Sequence, residues 1–352
     1  MTPINARTIA LGLAAGFVLG MSAPAFAQSS LEPVVAKPPT EGIHVKDEAS
    51  RQSKLAPTSL LLDAAFAGNR IFTVGEWGHI LYSEAPGYDA KSGEPTNWTQ
   101  ANVPVDITLT AITFVDDKNG WVVGHDGVIL NTTDGGATWS LQRKDPEVAA
   151  GKIPELERPL FAVHFSDAQH GFAVGAYSLF LSTADGGKTW TEKDMGDEEQ
   201  PHMNGVFQAK DGTLFIAAEQ GKVFRSRDGG QNWDKIQTPY NGSFWDGLGL
   251  PDGGLLVFGM RGNIWRSDDG GADWKQIPSA SSSSLQAGRV LADGRVVLIG
   301  LEGAVQTSKD GGKTFTFTAR DDREAMAGLI QAKDGTLHVF GEDGVKPQPL
   351  DK

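Results

Sequence analysis

The 352-residue sequence predicts an all-β fold, a seven-bladed β-propeller of four-stranded antiparallel blades. Three registers locked to one period carry that prediction. The phrase Ser/Thr-x-Asp-Gly-Gly-x-x-aromatic occurs five times, from "NTTDGGATW" to "SKDGGKTF", with Asp134, Asp185, Asp228, Asp269 and Asp310 spaced 51, 43, 41 and 41 residues apart. A Gly-x-x-Gly-like phrase runs in phase with it seven times, at Gly75, Gly124, Gly175, Ala218, Gly259, Gly300 and Gly341. Asp-Gly pairs at Asp211, Asp252, Asp293 and Asp334 repeat every 41 residues. A fixed period of this size means stacked supersecondary units, and seven middle phrases mean seven units.

Residues 1–27 read as a secretory signal peptide, with Arg7, an apolar run from Ile9 to Leu19 and the small-x-small site Ala25-Phe26-Ala27. The run is shorter than the roughly 20 residues a membrane-spanning helix needs, so cleavage near Ala27 and export to a periplasm are expected. No cysteine is present, which excludes disulfides and a lipid-modified Cys. Residues 28–57, polar and proline-containing, are expected to be a flexible leader. The propeller is expected over 58–352.

Within each unit four short segments are rich in Val, Ile, Phe and Thr, as in "ITLTAITF", "GWVVG", "VILNT" and "TWSLQ" between Ile107 and Gln142. Their turn residues fit antiparallel hairpins, and four strands per 40 to 50 residues make a propeller blade. The seventh unit ends before a fourth segment. An unpaired sheet edge leaves backbone groups unsatisfied, so a stretch within Glu41 to Ser50 is expected to supply the missing strand.

The Asp-Gly-Gly phrase reads as architecture. Its aspartate can accept backbone N–H groups and its glycines permit positive φ. The aromatic that follows, Trp139, Trp190, Trp233, Trp274 or Phe315, is expected between blades, with Trp98 in that place in the first unit. One chemical event would not need five copies around a ring.

The phrase resembles the Asp-box, or bacterial neuraminidase repeat, of sialidase-like propellers, where it lies at the periphery of enzymes and non-enzymes alike. The finer pattern "ITFVDDKNGWVVGHDGVILNTTDGGATW" resembles the photosystem II stability/assembly factor-like propeller family over about Leu60 to Lys346. That resemblance implies a non-enzymatic platform holding another protein, in a non-photosynthetic bacterial version. Family members in photosynthetic organisms carry an arginine-lined patch, whereas Arg and Lys here are scattered. Bacterial members associated with resistance-nodulation-division-type transporters make an envelope transporter the implied partner.

Sialidase chemistry needs three arginines, a Tyr nucleophile with a Glu partner and an Asp acid/base. The chain has four tyrosines and no Phe/Tyr-Arg-Ile-Pro phrase, with "ERPLF" at Glu157 to Phe161 the nearest approach. No enzyme activity, cofactor or metal is expected, since the histidines lack ligand spacing. The formal charge of −13, or −14 after cleavage, argues against nucleic acid. The middle turns place their variable residues on one face. A partner-binding rim is therefore expected at Glu76, Trp77, His125, Asp126, Tyr177, Glu219, Arg261 and Glu302, joined by Trp245 in the "YNGSFWDG" loop and by two long inter-blade loops. The competing expectation is an Asp-box carbohydrate-active enzyme or binding module using carboxylates of the same turns.

Overall fold

A computed structural model of the chain describes residues 48–145 and 157–350. They form a seven-bladed propeller of antiparallel sheets. Blade 1 begins at Leu61, blade 2 at Leu109, blade 3 at Leu160, blade 4 at Met203, blade 5 at Phe244, blade 6 at Leu285 and blade 7 at Met326. First strands of successive blades pack against one another, and that of blade 7 packs against that of blade 1, so they ring a central channel. The second strands, such as Gly120–Gly124 and Leu255–Gly259, are wholly buried and read as continuous apolar runs because both faces are covered by neighbouring blades.

Side chains on the first strands tie one blade to the next. Asp63 Oδ2 accepts the Ile112 N–H (2.9 Å), Thr110 Oγ1 donates to Leu160 O (2.6 Å), Asn204 Nδ2 to Phe244 O (2.8 Å) and Arg289 Nε to Leu329 O (3.1 Å). Each satisfies a backbone group that the channel edge of an inner strand would leave unpaired. The glycine ending the second strand is required by close approach. A Cβ on Gly75 would lie 2.0 Å from Leu60 O, and one on Gly300 1.9 Å from Ser284 O.

Blades 1 to 6 have four strands; blade 7 has three among the described residues, Met326–Gln331, Leu337–Gly341 and Gly344–Pro347. The expected strand donation from Glu41 to Ser50 is not made by its described part. Ser50 N–H instead donates to Val103 O (3.0 Å) and its hydroxyl to Trp77 O (2.8 Å), on blade 1; Glu41–Asp47 lie outside the described residues. Among the described residues no strand pairs with this edge, and its own residues blunt it. Pro347 has no N–H to satisfy, and Lys346 forms ion pairs with Glu324 and Asp322, both devices that discourage a further strand.

Closure comes from side chains. Ala56, 0% exposed, packs with Leu61, Phe340 and Val345, so the stretch from Glu48 to Pro57 belongs to the propeller's packing and not to a flexible leader. The longer insertion that replaces the first Asp-Gly-Gly turn forms its own small hairpin, Gly87–Tyr88 with Pro95–Thr96. Tyr88 from that hairpin reaches His338 of blade 7 (Oη to Nδ1 2.7 Å), and Trp98 sets its ring edge-on to Phe340.

Candidate functional site

Each Asp-Gly-Gly turn is a closed hydrogen-bonded unit. Thr132 Oγ1 donates to Asp134 Oδ1 (2.8 Å) and accepts the Gly136 N–H (2.8 Å), while Asp134 accepts the Thr138 N–H (2.9 Å) and hydroxyl (2.7 Å). The pattern recurs at Asp185 with Thr189, at Asp228 with Asn232 and at Asp310 with Thr314. At Asp269 both oxygens take the Asp273 N–H, since Asp273 has no second donor to give. Bonds from the Thr138 side chain and backbone hold Asp134 at about 2; backbone and side-chain bonds from Thr189 and Asn232 do the same for Asp185 and Asp228. These carboxylates are fixed as anions inside their own turns.

The aromatic of each box packs on the preceding blade. Trp139 joins Phe72 of blade 1, Trp190 joins Trp121 of blade 2, Trp233 joins Phe172 and Phe180 of blade 3, Trp274 joins Phe215 of blade 4, and Phe315 joins Leu256 and Phe258 of blade 5. Trp98 sits against Phe340 of blade 7. At the remaining junction, between blades 6 and 7, Leu350 packs where a box aromatic would stand.

The middle turns share an unusual backbone. Trp77 (φ 58°), Asp126 (52°), Tyr177 (52°), Gln220 (60°), Arg261 (57°) and Glu302 (57°) all lie in the left-handed region although none is glycine. That conformation costs an L-residue about 1–2 kcal/mol, so six blades bear a cost that glycine would remove. At three of these turns the strained residue is exposed, Trp77 (62%), Arg261 and Glu302, while Asp126, Tyr177 and Gln220 are half-buried.

The expected rim residues fall into three groups. Glu76 and Glu219 each accept, through one carboxylate oxygen, the N–H just before the inner strand of their own blade, Leu60 (3.1 Å) and His202 (3.0 Å). Glu302 accepts the Ser283 hydroxyl (2.7 Å) but stays exposed. Trp77, His125, Asp126, Tyr177 and Arg261 remain on the face, His125 bonded to Glu157 (2.7 Å) and Tyr177 edge-on to His202 (4.7 Å). Burial, followed by the Glu157 charge, raises Asp126 above the ordinary carboxylate range. Trp245 is not on a loop. It is the second residue of the inner strand Phe244–Gly249, at the channel, where buried Phe244 precedes it. Of the two long loops, residues 146–156 lie outside the described residues. The other is pinned by Lys222, 3% exposed, whose ammonium meets Asp197 (2.9 Å) and Glu199.

The central channel holds charges that sequence reasoning missed. It encloses about 520 Å³, and its only charged lining residues among those described are Asp63, Asp246 and Arg289. Burial pushes Asp63 up to about 6 and Asp246 up to about 7, while burial lowers Arg289 against the pull of both acids. Aligning the seven inner strands on their bulges would have found the acids, because the residue following the bulge is Ala111, Ala162, Gly205, Ala287 or Gly328 elsewhere. Among the described residues no three His, Cys, Asp or Glu side chains converge as a metal site would require, and no helix is long and apolar enough to cross a membrane.

A photosystem II assembly lipoprotein Ycf48 of Synechococcus sp. (strain CC9902) is 28% identical over 148 residues, 41% of this chain and 40% of that protein. The chloroplastic photosystem II stability/assembly factor HCF136 of Arabidopsis thaliana is 25% identical over 146 residues, 39% of this chain and 34% of that one. The chain thus matches 40% or less of the length of these curated relatives. A solved structure, YCF48 bound to D1 peptide, superposes with a TM-score of 0.65 at 20% identity, covering 86% of this chain and 97% of the other, which establishes the shared fold. Residues 90–153 and 152–275, together more than half of the chain, match the family model described as photosynthesis system II assembly factor YCF48, and the chain belongs to that family.

Proposed function

We propose that the protein is a non-enzymatic periplasmic platform whose middle-turn face docks an envelope membrane-protein complex, with a resistance-nodulation-division-type transporter as the partner implied by resemblance. The observation that carries this reading is the ring of six non-glycine residues held at positive φ on one face. Strained backbone persists where its surroundings impose it, and it concentrates at functional sites. The residues so held differ from blade to blade, as an asymmetric partner requires, and Trp77 is the exposed aromatic of the kind that anchors interfaces. Family membership supports the same class of function, and one relative is a YCF48 described as bound to a D1 peptide.

The test is capture from envelope extracts with the immobilised protein and with Trp77→Ala combined with Arg261→Ala. The platform reading expects a membrane protein retained by the wild type and lost from the variant at unchanged melting temperature. Retention by the variant, coupled with loss when the Asp211, Asp252 and Asp293 turns are replaced, would put the docking face on the other side. Turnover of a glycoside with no protein captured would favour the carbohydrate-active reading.

A further inference from the structure

The central channel carries charge that the platform function does not use. Asp63 and Asp246 occupy a ring otherwise made of alanine and glycine, whose small size is dictated by the approach of adjacent inner strands: a Cβ on Gly205 would lie 2.7 Å from Trp245 O and 2.9 Å from Asp246 Oδ1. Asp63 accepts the N–H groups of Ala64 (2.7 Å) and Ile112 (2.9 Å), so it has a structural task as well as free lone pairs. Asp246 takes only the Gly247 N–H. Arg289, two residues beyond Ala287 on blade 6, gives Nε to Leu329 O (3.1 Å), and its two terminal nitrogens have no hydrogen-bond partner among the described residues. The three charges act on one another, yet no carboxylate reaches ion-pair distance of the guanidinium. Charges held deep in a protein without a partner are costly.

We propose that the channel binds a small zwitterion of the amino-acid class, its ammonium taken by Asp246 and Asp63 and its carboxylate by the terminal nitrogens of Arg289. A molecule bearing both charges pairs all three residues at once, whereas a simple cation leaves the arginine unmet and a simple anion faces two acids. The volume of about 520 Å³ lies within the range of small-molecule pockets, about 300–1,000 Å³. Phe161 and Trp245, both half-buried, are the lining aromatics outside the inter-blade cores and offer contact to the side chain of such a ligand. Asp246 is half-ionised near neutrality and Asp63 and Arg289 are the charged groups facing it, so affinity rises from pH 6 to pH 8 as Asp246 ionises.

Calorimetric titration of the full chain with L-phenylalanine, 2-phenylethylamine and 3-phenylpropionate tests this, because the three probes share a skeleton and separate the charges. The expected result is L-phenylalanine binding at pH 8 at least about tenfold tighter than either single-charge probe. Arg289→Gln and Asp246→Asn are each expected to weaken it by about tenfold or more while the far-ultraviolet spectrum and a cooperative melting transition are retained. Equal binding of the amine alone or the acid alone overturns the assignment, as does unchanged affinity in folded variants. The wild-type probe comparison stands even if a variant fails to fold. No heat with L-phenylalanine, nor with glycine and L-lysine titrated in the same way, also overturns it.

Discussion

Replacing Trp139 by alanine should destabilise the propeller by about 4 kcal/mol, within the range of about 3–5 kcal/mol for removal of a buried Trp or Phe. Trp139 is 6% exposed and stands between blades 1 and 2, edge-on to Phe72 at 6.5 Å and 69° and to Phe114 at 6.0 Å and 77°. A side chain of this size buries about 150–250 Å², worth about 4–6 kcal/mol at about 25 cal/mol per Å² as an upper figure. Neither blade can close over the space, because each is held by its own sheet. With an unfolding entropy of about 2 cal/mol/K per residue over about 300 residues, 4 kcal/mol lowers the melting temperature by about 7 °C. Differential scanning calorimetry reads that shift directly. Trp139→Phe should cost well under half as much, since the indole N–H has no partner to lose and Phe315 already fills the same place in the fifth box. A Trp139→Ala protein melting within about 1 °C of wild type would show that the box aromatic does not lock blades together.

Three further outcomes are expected. Asp197→Asn leaves buried Lys222 with Glu199 alone and should cost about 3 kcal/mol, the low end of what breaking a buried ion pair costs, measured by urea unfolding; no change in midpoint would refute the pin on the 194–200 loop. The Asp134, Asp185 and Asp228 carboxyls are held below their unfolded value of 3.8, so their contribution is present above that pH and is lost as pH falls toward 2; melting temperature should drop over that window, and less in Asp134→Asn. Asp246 has the opposite sign: its folded value, about 7, lies above 3.8, so the fold loses stability as pH rises between the two, and Asp246→Asn should melt higher than wild type at pH 8 with the difference fading at pH 4.

The fold was readable because it is written many times. Seven copies of the middle turn and five of the box fix blade number, strand order and the inter-blade aromatics without long-range information. Where the repeat is broken, the sequence says less. The missing fourth strand of blade 7 called for a donor within Glu41 to Ser50; Glu48 to Ser50 do not supply it, Glu41 to Asp47 lie outside the described residues, and Leu350 fills the junction between blades 6 and 7. Composition also made every turn glutamate look solvent-facing, whereas Glu76 and Glu219 fold back onto the chain at Leu60 and His202, a contact between residues 16 and 17 positions apart. The channel charges were invisible for a different reason. Asp63, Asp246 and Arg289 are 183 and 43 positions apart, and only ring closure brings them together.

On the proposed function, the middle-turn face, and not the Asp-Gly face, holds the partner. Site-specific photo-cross-linking measures this most directly, with a benzoylphenylalanine placed at Tyr177 on one face or at Asp293 on the other, followed by mass spectrometry of adducts in intact envelopes. An adduct with a membrane protein is expected from position 177 and none from position 293. Adducts from position 293 alone, or from neither position, would contradict it.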